Sequence, residues 1–142
     1  MLQFRLSWHR WFAGFLALTI LAAAYLFQKI DVAAFMGIDS PNAKFIVNKL
    51  TRFLLNDGAC LLLITAIFNK PKYLLVSTWL FLAELLIFLP LYFILKLSLE
   101  GNSEISSPLL SQLHRMIVNP LLMIVLMMGF FYQDFFWKKT NP

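Results

Sequence analysis

The chain has 142 residues, 61% of them hydrophobic and only 13% charged, with a formal net charge of +5. Charged residues make up roughly a quarter of an ordinary soluble domain, and here the apolar residues come in blocks of about 20, the length that crosses a bilayer. This excludes a disordered chain, a separate soluble domain and a nucleic-acid binder: the basic residues stand in short runs at block ends instead of on one face.

Taken in order, a basic lead with Arg5, His9 and Arg10 is flanked by Trp8 and Trp11, as interfacial aromatics flank charges. The first span is expected over residues 11–28, with Ala13 and Ala17 giving a small-residue spacing suited to helix packing. The same stretch, ending in Ala22-Ala23-Ala24, also fits a signal peptide with cleavage near residue 24. Either way the chain after Phe27 starts on the outer side. A near-neutral loop follows, in which Asp39-Ser40-Pro41-Asn42 signals a turn or helix start.

The second span, 45–68, carries Lys49, Arg52, Asn56 and Asp57. Such groups cost roughly 2.5–3.5 kcal/mol each at a helix centre unless partners or water receive them. Asn56-Asp57-Gly58 also allows a broken helix. Asn69-Lys70-Pro71-Lys72 is a basic turn. The third span, 73–97, has Glu84 near its middle, and Pro90 is expected to kink it and free a carbonyl near residue 86. A polar, acidic loop leads to the fourth span, 113–133, with His114, Arg115, Asn119 and Pro120 at its start. Phe135, Phe136 and Trp137 form an interfacial belt before Lys138 and Lys139.

These elements predict an all-α membrane protein in which four transmembrane helices form an up-down bundle in a single domain. Lys and Arg concentrate in the lead, the 69–72 turn and the tail, so both termini are expected in the cytoplasm.

At about 1.5 Å per helical residue, Asn56, Asp57 and Glu84 fall near mid-bilayer, with Arg52 roughly 7 Å and Lys49 roughly 12 Å towards the outer face. Lys49, Arg52 and Asn56 share one helix face, and Arg115 and Asn119 share another at overlapping depth. The candidate site is therefore an outward-facing polar notch of Lys49, Arg52, Asn56, Asp57, Glu84, His114, Arg115 and Asn119, with the cations neutralising Asp57 and Glu84. Ion pairs that only glue helices together, and long side chains such as Lys49, Lys96 and His114 reaching for the interface, explain the same residues without a ligand.

No catalytic, cofactor or metal constellation emerges. Cys60 is the single cysteine, and the depth scale puts His114 roughly 13 Å outward of it, too far for a base. His9 and His114 fall at opposite faces, which excludes a zinc or di-iron set.

Arg52 followed by Asn56-Asp57, then His114-Arg115 with Asn119-Pro120-Leu121, and Arg10-Trp11 ahead of the first span, resemble the small exosortase F-associated membrane proteins of Bacteroidota-type bacteria. The resemblance covers essentially the whole chain. It implies a multi-pass inner-membrane accessory of an exosortase, the membrane-embedded cysteine enzyme that removes a C-terminal sorting helix from exported proteins. It supplies a membrane-protein partner beside membrane lipid, and no catalytic residues. The separated Cys, Arg and His pattern of the protease itself is not present. The other reading the residues leave open is a small enzyme or transporter acting on a lipid-linked or anionic substrate.

Overall fold

The computed structural model describes residues 7–101, 103 and 106–137; Arg5, Lys138 and Lys139 lie outside the described residues. Those residues fold as helices: α1 (Trp8–Leu26), the short α2 (Val32–Phe35), α3 (Pro41–Phe68), α4 (Pro71–Ala83), α5 (Leu89–Leu99), α6 (Pro108–Ile117) and α7 (Leu121–Tyr132). A π-helical turn, Glu84–Phe88, joins α4 to α5, and another, Gln133–Trp137, follows α7. Three helices, Trp8–Leu26, Pro41–Phe68 and Pro71–Leu99, are long and apolar enough to cross a membrane; the bent pair Pro108–Ile117 and Leu121–Phe136 makes a fourth if it counts as one span.

α1 packs chiefly on α3, and small residues allow it. Ala17 is fully buried, and a Cβ added to Gly14 would stand 3.6 Å from the Ala66 Cβ. Between helices in lipid, where both sides of the exchange are apolar, such close approach supplies the packing energy. Arg10 adds a polar clasp. Its Nε donates to the Ala66 carbonyl (2.9 Å) and its Nη2 to the Ile67 carbonyl (2.8 Å), two acceptors of the last turn of α3 that have no intrahelical donor. The guanidinium also meets the negative end of the α3 dipole. The sequence assigns Arg10 to topology alone; the fold also makes it the cap of the next helix. Arg10→Ala should lower the unfolding midpoint in detergent by about 1–2 kcal/mol, with Arg10→Lys recovering part of the loss.

α3 is one continuous helix through Asn56-Asp57-Gly58, so the broken-helix alternative is not what forms. It ends at Asn69, whose φ of 48° is left-handed, a conformation Asn tolerates well.

The kink expected at Pro90 does not break the third span. Pro90 lacks an N–H and would clash with the carbonyl four residues back. The chain passes through the π-turn Glu84–Phe88 just before it, and the extra residue per turn opens room for the ring. The fourth span differs more. Asn119-Pro120 divides it into two helices that meet at 54°. Pro120 cannot continue the ladder, and the Val118 carbonyl at the break accepts instead from Asn56 Nδ2 on α3 (3.1 Å). A polar side chain from a neighbouring helix thus satisfies the backbone that the proline left open.

Two apolar clusters hold the helices. Ile64, Phe68, Tyr73 and Phe130 gather where α3 ends and α4 begins, with Phe68 edge-on to Tyr73 and Tyr73 stacked on Phe130 at 4.2 Å. At this end Lys70 pairs with Asp134, and Tyr73 donates to Asp134 Oδ1 at 2.6 Å. At the other end Phe53, Leu89, Tyr92, Ile117 and Val118 form a second core, and the candidate site lies above it.

Candidate functional site

A cavity of about 980 Å³ opens where the loop after α1, the first turns of α3, the last turns of α5 and the start of α6 converge. Each wall is a helical stripe. From α3 come Phe45, Asn48, Lys49 and Arg52; from α5 come Tyr92 and Lys96; from α6 come Ser111 and His114. The spacings of three, four and seven are those that put side chains on one helix face. Lys29 and Asp31 close the cavity from the loop.

Hydrogen bonds fix the loop wall. Asp31 Oδ1 accepts from Asn48 Nδ2 (2.8 Å) and from the Ala34 amide (3.1 Å), while Asn48 Oδ1 accepts from the Ala33 amide (3.1 Å). The Asn48 amide, then the Ala34 N–H, hold the Asp31 carboxyl below its usual range. α2 is thereby capped and stapled to α3 by the same residues that line the cavity.

The α5 wall is held by Lys96, only 1% exposed. Its ammonium donates to Glu100 Oε2 (2.6 Å) and to Ser106 Oγ (2.8 Å). Glu100 Oε1 accepts from the Ser107 amide at 2.6 Å. These bonds, with Lys96 first and Ser107 second, bring the Glu100 carboxyl down to about 2. A lowered acid contributes stability in full above its ordinary value, here 4.5, and loses it as pH falls towards about 2. The Ser107 amide resonance should therefore titrate with a midpoint near 2, and in Lys96→Met the midpoint should move up towards the ordinary value. An unmoved midpoint would mean that Lys96 does not hold this loop.

The floor is apolar and aromatic. Phe53 is fully buried and stacks on Phe81 at 5.5 Å. Tyr92 Oη stands 3.3 Å from His114 Nδ1, at hydrogen-bonding distance. The Lys49 ammonium lies 5.6 Å from the Phe45 ring centroid, within cation–π range.

Of the eight residues expected to form the notch, Lys49, Arg52 and His114 line this cavity. Asn56 turns to the Val118 carbonyl. Arg115 and Asn119 are exposed: Arg115 stands about 100° round α6 from His114, and Asn119 lies beyond the end of α6 at Ile117. Asp57 and Glu84 are 0% and 1% exposed and neighbour each other. No partner at hydrogen-bonding geometry meets either Asp57 oxygen or Glu84 Oε2 among the described residues. The expected neutralisation of Asp57 by Arg52 or Lys49 thus takes no hydrogen-bonded form. Cys60 is buried, as its depth predicts, and no group of three or more metal-ligating side chains occurs among the described residues.

Tyr92, Lys96, Asn48 and the serines are lining residues that sequence reasoning passed over. Tyr92 and Lys96 at i, i+4, with Glu100 another four residues on, carried the signal; a lysine near a helix end reads first as reaching for the interface. The class these features define is a helical membrane protein with a basic, donor-rich cavity at one end. No protein-family model, curated protein or solved structure matches the chain.

Proposed function

We propose that the chain is a multi-pass inner-membrane accessory protein of an exosortase protein-sorting system, with four spans in an up-down arrangement and both termini cytoplasmic. In this reading the cavity opens on the outer side, where exported proteins emerge, and receives an anionic group of a partner or exported substrate. The observation that supports it is the convergence of Lys49, Arg52 and His114 on one cavity. Lysine and arginine side chains on one cavity wall are suited to receive an anionic group. The test is photo-crosslinking in membranes from probes at positions 49 and 52, followed by identification of what is captured. Capture of an exosortase or a protein bearing a C-terminal sorting helix is the expected result; adducts with lipid alone would overturn the accessory reading.

A second reading rests on the chemistry of the lining: a small membrane enzyme or transporter whose cavity takes a lipid-linked or anionic substrate. Among the described residues, Lys29, Lys49, Arg52 and Lys96 stand in the walls beside Asp31, with Lys96 paired to Glu100. Turnover or movement of an anionic ligand by the purified protein would support it.

A further inference from the structure

We infer that Asp57 and Glu84 form a binding site for one alkali-metal cation, such as sodium, in the protein interior. The inference goes beyond both readings of the cavity and does not depend on what Lys49 and Arg52 bind.

The first observation is a contact between two acceptors. Asp57 on α3 and Glu84, the first residue of the π-turn, meet side chain to side chain. They are 0% and 1% exposed. Asp57 Oδ1, Asp57 Oδ2 and Glu84 Oε2 have no hydrogen-bond partner among the described residues. Ionised carboxylates only accept, so two of them in contact repel and cannot satisfy each other. Acids inside a membrane protein are kept where a counter-charge meets them. A cation between the two carboxylates supplies that charge and gives all three open oxygens a partner at once.

The second observation is the backbone beside Glu84. The Leu89 N–H bonds to the Glu84 carbonyl, five residues back. At the same spacing the Leu85 carbonyl would take its bond from Pro90, which has no N–H. A backbone oxygen next to Glu84 is thus left open. π-Turns inside helices gather at functional sites. In membrane transporters, ion sites form near mid-bilayer where a helix departs from regular geometry and turns carbonyls towards the ion.

The class of cation follows from the oxygens and their burial. One proton between the acids makes one hydrogen bond and serves two of the three open oxygens. Calcium takes about six to eight oxygens, and magnesium keeps several waters. Two carboxylates closed off from the surface, with a carbonyl beside them, suit neither, and no group of three metal-ligating side chains occurs among the described residues. A monovalent ion needs less, and with it in place the pair carries one net negative charge instead of two.

The test uses the full chain purified in detergent at mildly alkaline pH, in sodium, potassium, calcium or choline chloride at constant ionic strength. Two quantities are read: the thermal unfolding midpoint and the retention of radioactive sodium. A ligand stabilises the folded state that binds it, so the midpoint should rise with sodium over choline and saturate. In Asp57→Asn/Glu84→Gln the midpoint should no longer respond, and retained sodium should fall by about tenfold or more, since two charged ligands are lost. Circular dichroism reports whether the double variant folds; Asp57→Asn alone takes its place if it does not. A response to potassium as well supports the site, since both ions are of the class proposed. A response to calcium without one to sodium would overturn the monovalent assignment. Equal midpoints in sodium and choline, with no sodium retained, would overturn the site. Infrared bands of protonated carboxyls that sodium leaves in place, and that the double variant lacks, would show that protons hold the pair and would overturn the metal ion.

Discussion

Asp57→Asn combined with Glu84→Gln should unfold later than the parent protein, by about 1–3 kcal/mol. The two acids are buried side by side, and among the described residues three of their four oxygens have no hydrogen-bond partner. Amides of nearly the same shape bring donors that can satisfy those oxygens, and they remove two ionisable groups from a setting where charge is costly. Single variants change less, because each leaves one carboxyl in place. The measurement is the unfolding midpoint of the purified protein in a denaturing-detergent titration. A lower midpoint would identify the pair as helix glue, which the sequence alone allows equally well. A higher midpoint with loss of partner capture or ligand binding would mark the acids as groups retained at a cost in stability.

Phe53→Ala should cost about 2–3 kcal/mol and weaken whatever the cavity binds. Phe53 is fully exposed to neither lipid nor cavity; it is buried under the site and stacked on Phe81. Truncating a buried Phe in a water-soluble core costs about 3–5 kcal/mol. In a membrane the transfer part of that cost is smaller, since lipid is as apolar as the core, and lost packing remains. Phe53 adjoins Arg52 in the chain, so relaxation into the void shifts the guanidinium. A variant with lowered stability and unchanged ligand retention would separate the floor from the site.

Sequence patterning carries the helical class and the membrane-crossing lengths because both depend on runs of apolar residues, which are local. The end of α3 at Asn69 and the start of α4 at Pro71 follow from the Asn-Lys-Pro turn in the same way. Lys49, Arg52 and His114 were legible as cavity residues because two walls, α3 and α6, keep regular helical phase around them. Arg115 and Asn119 were not: Arg115 stands about 100° from His114 on the same helix, and Asn119 lies past the end of α6 at Ile117, where helical phase stops. Asn56 was legible as a polar residue with a task, but the task is to satisfy a backbone carbonyl on another helix, which no local pattern encodes. Arg10 is similar: its acceptors lie 56 and 57 residues away. Glu84 and Asp57 are buried neighbours, as the equal depths expected for them allow, yet the π-turn that starts at Glu84 depends on how the chain resolves Pro90, a choice between bend and bulge that the proline alone leaves open.

The break at Asn119-Pro120 also bears on the lipid around the protein. A 10-residue helix such as α6 rises about 15 Å. If α7 stands along the membrane normal, the 54° bend shortens the reach of α6 across the bilayer to about 9 Å, roughly 6 Å less than a straight continuation. The flank that carries Ser111 and His114 is then shorter than the flank built by the 28 residues of α3. A hydrophobic height that differs around one protein is met by local thinning or by tilt, at fractions of a kcal/mol per Å. The bilayer should dip beside α6, bringing the headgroup layer down to the mouth of the cavity, and the protein should favour membranes thin enough to make that dip shallow.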